Sequence, residues 1–222
     1  YKKLSKDKKI NEFKSKIDKI VEEKIFNKLK KTNINILSEE NKKSWDNFGK
    51  KKLTWIVDPL DGTVNYIRDT GKCGISIALF DGIKPIFGVI GVYPDMKVYF
   101  GGPNFRSKSI DGELKVSNIS KIDKSILCYG FPARYVFNKK NFNKTYQDLK
   151  KFAKIRMIGA ASISLLLVAM GKAEVYKESN IMIWDIAAGM AIIIGAGGSY
   201  KLSKGDHKLS FNLIAHNNKI KL

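Results

Sequence analysis

The hexapeptide Asp58-Pro59-Leu60-Asp61-Gly62-Thr63 is the stretch of the sequence best equipped for chemistry. Two carboxylates three residues apart, across a turn stiffened by proline, can point to the same side. Hard divalent cations want several oxygens, and Mg²⁺ takes one or two carboxylates together with water and substrate phosphate. The Leu60 carbonyl can join such a set, and the Gly62 and Thr63 amides can face an anion if a helix starts there. The plainer reading is an Asx-turn, with Asp58 or Asp61 capping a helix. Two other acidic segments, Ser38-Glu39-Glu40 and Trp184-Asp185-Ile186-Ala187-Ala188-Gly189, read alone as a surface pair and a helix N-cap. The neighbours of Asp185 are apolar, however, and an acid among them needs a partner, which a metal supplies. Together the three segments could converge on two cations, an arrangement that clamps the attacking and leaving oxygens of a phosphoryl transfer, with Thr63 orienting or helping to deprotonate a water. Other chemistries lack their signatures: there is no Gly-rich Walker loop, no His-Glu-x-x-His helix and no nucleophile elbow. His207 and His216 are isolated and read as surface or core histidines.

The elements that must position these groups follow from hydrophobic spacing. Residues 1–31 carry apolar residues three and four apart (Ile10, Phe13, Ile17, Ile20 or Val21, Leu29) among Lys and Glu, which predicts an amphipathic helix. Ile34 to Leu37 predicts a strand ending at the first acidic pair, and Ser44 to Lys52 a loop. Leu53 to Val57 predicts a strand that must turn at Asp58-Pro59. Strands are expected over Gly74–Phe80, Lys84–Tyr93 (broken at Gly88 and Gly91) and Lys97–Phe100, with turns at Asp81-Gly82 and Asp111-Gly112. Thereafter strands (Ser125–Tyr129, Ile155–Ile158, Ala173–Tyr176, Ile214–His216) alternate with helices (Asn138–Phe152, Ser162–Met170, Trp184–Ile194), the last closed by the glycines of Gly195–Gly198. The expected organisation is an antiparallel α+β subdomain over residues 1–122 and a smaller α/β subdomain over residues 123–222.

Composition narrows the function classes. The 222 residues carry a formal charge of +20, which invites a nucleic-acid reading. Only four of the 41 basic residues are Arg, namely Arg68, Arg106, Arg134 and Arg156. Bidentate base readout leans on Arg, so no specific nucleic-acid partner is expected. The lysines read as a solvated face whose field would gather small anions. Cys73 and Cys128 make neither a disulfide framework nor a metal quartet and read as buried thiols. No apolar run approaches the roughly 18 residues of a membrane span, and no signal peptide is recognisable, so the expectation is a cytoplasmic protein without a membrane partner.

The residues Trp55-Ile56-Val57-Asp58-Pro59-Leu60-Asp61-Gly62-Thr63-Val64-Asn65-Tyr66 resemble the first signature of the inositol monophosphatase family of Mg²⁺-dependent phosphatases. Trp184-Asp185-Ile186-Ala187-Ala188-Gly189 with Ala196-Gly197-Gly198 is similar to its second. Glu39-Glu40 sits where the family places an upstream acidic pair, and the order and spacing of all three match together. The resemblance runs from about Phe13 to Asn218 and implies a layered αβαβα sugar-phosphatase fold. It implies that Glu39, Asp58 and the Leu60 carbonyl hold a first Mg²⁺, that Asp58, Asp61 and Asp185 hold a second, and that a third, weaker ion shares Glu39. Thr63 with Glu39 would position the nucleophilic water, Asp18 would stand near Thr63, and the Gly62 and Thr63 amides would hold the phosphate. Glu178 falls where the family has a sugar-binding acid. Arg156-Met157-Ile158-Gly159-Ala160-Ala161-Ser162 resembles its substrate strand, which brings Gly159 and Ala160 to the substrate hydroxyls. The implied substrate is an inositol or sugar phosphate. A nucleotidase for 3′-phosphoadenosine 5′-phosphate and a histidinol phosphatase are the alternatives. Sensitivity to Li⁺ and a homodimer are implied by the same resemblance. Departures fall outside the ligands: Ser38 stands for a glycine, Ala160 for a Ser or Thr, and the segment before Asp18 is Lys-rich.

Overall fold

The core of the molecule forms around a helix with little face toward water. This helix, α5 (Ile183–Gly195), is apolar except for Asp185, and ten of its thirteen residues are buried. It can be stable only if other elements cover every side, and the fold does so in layers. The computed structural model describes residues 8–49, 52–131, 135–136 and 138–221; residues 1–7 of the expected first helix lie outside them.

The first helix, α1 (Lys8–Leu29), leads into β1 (Asn35–Ser38). After β2 (Leu53–Asp61) comes a short helix, α2 (Thr63–Arg68), and then β3 (Cys73–Asp81), β4 (Lys84–Tyr93), β5 (Lys97–Gly102), β6 (Phe105–Ser109) and β7 (Gly112–Glu113). These seven strands form one sheet in sequence order, parallel only between β1 and β2. The second sheet has the order β11-β12-β10-β8-β9, built from β8 (Ile126–Tyr129), β9 (Lys154–Arg156), β10 (Val175–Met182), β11 (Ser199–Lys204) and β12 (Ser210–His216). Helix α4 (Ala161–Ala169) and α5 pack on each other between the two sheets, with α5 touching β2 to β6 on one side and β10 to β12 on the other. Helix α1 packs along β2. Helix α3 (Lys139–Leu149), capped by the Asn138 side chain accepting from the Asn141 amide at 2.8 Å, ends at Leu149, which packs against the apolar cluster of Leu127, Tyr129, Val175 and Ile220. The result is a mixed α+β fold in αβαβα layers.

Most expected elements are present, and the differences have local reasons. The strand carrying Asp58 does not end there: it continues to Asp61, and Pro59 is accommodated where the β2–β3 register shifts between Asp58 and Asp61. β4 runs unbroken through Gly88 and Gly91. The expected loop after β1 holds a 3₁₀ helix, Lys42–Asn47. β6, β7 and β11 are polar strands that the hydrophobic pattern missed. Asp185 is the third residue of α5; its N-cap is Met182. The far end closes as expected, with Gly197 at φ +90° and the Gly198 amide on the Ile193 carbonyl at 2.9 Å.

Two buried hydroxyls and one missing side chain seat α5 on the first sheet. Ser76 donates to the Trp184 carbonyl at 3.2 Å and Ser107 to the Ile192 carbonyl at 2.6 Å. At Gly88 a Cβ would come within 2.4 Å of the Ala188 carbonyl oxygen, so the helix backbone lies directly on the strand. Gly88→Ala should therefore lift α5 and destabilise the protein by about 1–3 kcal/mol, read by chemical denaturation, since backbone cannot yield as a side-chain tip can.

Candidate active site

The acidic residues come together through one row of neighbours that crosses two strands and reaches a helix. Parallel pairing sets Ser38 of β1 beside Val57 of β2, so the next residues, Glu39 and Asp58, follow side by side, and the Glu39 amide donates to the Val57 carbonyl at 3.4 Å. Antiparallel pairing sets Asp58 against Ser76 of β3. The Ser76 hydroxyl binds the Trp184 carbonyl, which brings the first turn of α5 and Asp185 to the same place. One oxygen from each of Glu39, Asp58 and Asp185 lies within 4.8 Å of the others. These carboxylates open onto a groove of about 1270 Å³ whose wall also includes Asp61, Gly62, Thr63 and Glu178.

Each carboxyl meets its surroundings differently. Asp58 is 1% exposed; its Oδ1 accepts the Leu60 amide at 2.9 Å, the Asx-turn of the plainer sequence reading, and its Oδ2 is buried with no hydrogen-bond partner. Asp61 also serves a helix, though not its own: its Oδ2 accepts the amide and the hydroxyl of Ser162 at 2.6 and 2.5 Å, at the start of α4. Desolvation pushes the Asp58 and Asp185 carboxyls well above the ordinary range, and the charges of the neighbouring acids, Glu39 and Asp61 among them, add to it. Burial raises Asp61 to about 6 against the pull of the Ser162 bonds. An unpartnered buried oxygen and three carboxylates that repel one another fit a hard cation, which would satisfy both at once.

The remaining expected residues have definite places. Thr63 opens α2, and its hydroxyl donates to the Leu60 carbonyl at 2.9 Å. Gly62 lies at φ +82°, a left-handed turn that a side chain would strain. Asp18 is 3% exposed on α1, which packs on β2 and α2; it does not line the groove. Glu178 is 8% exposed on β10 and accepts the Tyr176 hydroxyl at 2.8 Å, and burial pushes its carboxyl up to about 7. Gly159 lines the groove, whereas the buried Ala160 turns its side chain toward Gly62. His207 borders the groove; His216 is buried and its Nδ1 accepts the Asn218 amide.

Several residues of the site carried no signal in sequence. Ser162 is one, because nothing in a serine predicts a partner 101 positions away. Ser38 donates to the Glu22 carboxylate of α1, which ties the strand end before Glu39 to the first helix. Trp45, in a stretch read as a loop, donates to the Ser38 carbonyl at 3.0 Å and lies 5.0 Å from the Trp184 ring.

The profile of the inositol monophosphatase family matches residues 2–220. A protein named Nus factor SuhB from Xylella fastidiosa is 30% identical over 190 residues, 84% of this chain and 68% of that one. A fructose-1,6-bisphosphatase/inositol-1-monophosphatase of Aquifex aeolicus is 32% identical over 149 residues, 67% of this chain and 56% of that one. The crystal structure of inositol monophosphatase II from Staphylococcus aureus shares the fold, with a TM-score of 0.81 at 24% identity over 97% of this chain and 82% of its own.

The raised carboxyls make the metal-free protein sensitive to pH. A carboxyl with a folded value above its unfolded one binds its proton more tightly when folded, so ionisation costs stability. The loss begins near pH 4 and is complete above about 6 for Asp61 and about 7 for Glu178. Thermal melts of the metal-free protein should show Tm falling between pH 4 and 8, and Glu178→Gln should flatten the upper part of that fall.

Proposed function

The chain belongs to the inositol monophosphatase family, and from that premise and the geometry of the groove we propose that it is a Mg²⁺-dependent phosphatase of a small phosphate monoester, an inositol or sugar phosphate. The observation that carries the reading is the set of carboxylate oxygens of Glu39, Asp58 and Asp185 within 4.8 Å of one another, beside Asp61. In this reading Glu39, Asp58 and the Leu60 carbonyl would hold one Mg²⁺, and Asp58, Asp61 and Asp185 would hold a second. Glu39 also serves a weaker third. Bound Mg²⁺ supplies charge neutralisation and Lewis-acid polarisation of water and phosphate.

The chain's own groups do the rest. Glu39 and the Thr63 hydroxyl position the attacking water, with Asp18 behind them, and Glu39 receives its proton. The Gly62 and Thr63 amides, turned by the left-handed Gly62, hold the phosphate oxygens. Water attacks phosphorus in line as the ester P–O bond breaks, and the leaving alkoxide takes a proton from solvent water to depart as the alcohol, so no phosphoenzyme forms. Glu178 and Gly159, which line the groove, take the hydroxyls of the departing alcohol. Residues 1–122 would then form the subdomain with most ligands and residues 123–222 the one that lends Asp185. A homodimer, Li⁺ inhibition and a cytoplasmic setting belong to the same proposal.

A second reading, a nucleotidase acting on 3′-phosphoadenosine 5′-phosphate, is favoured by the aromatic wall of the groove. There Tyr129, Phe131 and Tyr135 follow one another at centroid distances of 5.1 and 4.6 Å, a surface on which a flat base can stack.

Phosphate release from a panel of inositol phosphates, fructose 1,6-bisphosphate, histidinol phosphate and adenosine bisphosphates tests both readings. Turnover should require Mg²⁺ and stop with EDTA, and Asp58→Asn should lower kcat/KM by about a hundred-fold or more. Equal turnover by that variant, or indifference to EDTA, would end the phosphatase reading.

A further inference from the structure

The start of α4 lacks a cap of its own: the N-cap residue is Ala160, whose side chain cannot accept a hydrogen bond. The Asp61 carboxylate from β2 fills that role by accepting the Ser162 amide. For capping, the amide bond is enough. Yet the same oxygen also accepts the Ser162 hydroxyl at 2.5 Å, and Ser162 is fully buried. Room for that hydroxyl is provided from a third element. Gly74 of β3 is the cross-strand partner of Asp61, and a Cβ there would stand 2.6 Å from Ser162 Oγ. Three elements therefore meet to place two donors on one carboxylate oxygen.

We propose that Ser162 is a positioning residue for the cation site: its hydroxyl and amide together fix Asp61 Oδ2, orienting the carboxylate so that its other oxygen serves a divalent cation, and Gly74 keeps the space in which the hydroxyl can do so. The proposal rests on the reading of Asp61 as a ligand. Its physical basis is general, since groups that hydrogen-bond behind a ligand set its direction, and their loss typically costs 10- to 100-fold in metal affinity. The Ala161 and Gly62 amides also act on this carboxyl, and each further donor, the Ser162 hydroxyl included, removes rotational freedom that a cation would otherwise have to remove on binding.

Isothermal titration of Mg²⁺ into the metal-free protein, with Tm measured with and without Mg²⁺, tests this on the wild type, Ser162→Ala, Gly74→Ala and the double variant. Ser162→Ala should raise the Mg²⁺ dissociation constant roughly ten-fold and shrink the Mg²⁺-induced rise in Tm. Gly74→Ala should do the same with the hydroxyl still present, and the double variant should be no worse than Ser162→Ala, because both act through one bond. A wild-type dissociation constant in either single variant would overturn the proposal. So would a fall in Tm that is equal with and without Mg²⁺, the mark of a helix cap and nothing more. If the wild-type protein itself takes up no Mg²⁺, the reading of Asp61 as a ligand falls, and this one with it.

Discussion

Like charges held close in a desolvated place are the constraint around which this fold is arranged. Bringing Glu39, Asp58 and Asp185 within a few ångströms of one another is unfavourable by burial and by repulsion alike. The rest of the molecule must supply the stability that such a cluster removes. It does so with α5, whose apolar surface is covered on all sides by two sheets and α4, and whose position is fixed by Ser76, Ser107 and the bare backbone at Gly88. A helix with ten of its thirteen residues buried thus carries one member of the acidic cluster on its first turn. Positive charge gathered at a helix N-terminus partly offsets the carboxylate there.

The layered architecture explains why residues so distant in sequence can meet with little tolerance for error. β1 and β2 run parallel, so the acids at their ends emerge at the same edge. The register shift after Asp58 turns the chain without ending the strand, which keeps Asp61 attached to β3 through Gly74 while α2 begins immediately beyond. Backbone pairing, and not side-chain reach, determines most of these distances.

Much of this arrangement is legible in the residues. The Asp-Pro-Leu-Asp-Gly-Thr run announces a special turn, and three acidic segments at strand and helix ends announce convergence. What the sequence leaves obscure has physical causes. An all-apolar run such as Ile186 to Ile194 reveals a buried helix but not what buries it. Lys- and Ser-rich strands such as β6 and β11 have one wet face and few apolar residues to alternate. Taken alone, Asp185 reads as a cap, because a polar residue before an apolar helix usually is one, and only its apolar neighbours point to a metal; in the fold Met182 holds the cap position. Asp58 and Asp61 show that the structural and the chemical readings of an acid need not compete. Each accepts backbone amides as an ordinary turn or cap residue does, and each still borders the groove.

The tryptophan pair beside the acids has an optical consequence. Trp184 directly precedes Asp185, and Trp45 is tied to the carbonyl of Ser38, one residue before Glu39. With their rings 5.0 Å apart, the two indoles are close enough to couple as chromophores. Of the three tryptophans in the chain, two therefore stand at the place where charge would be neutralised. Intrinsic emission and near-ultraviolet circular dichroism are thus native gauges of occupancy, with no label attached.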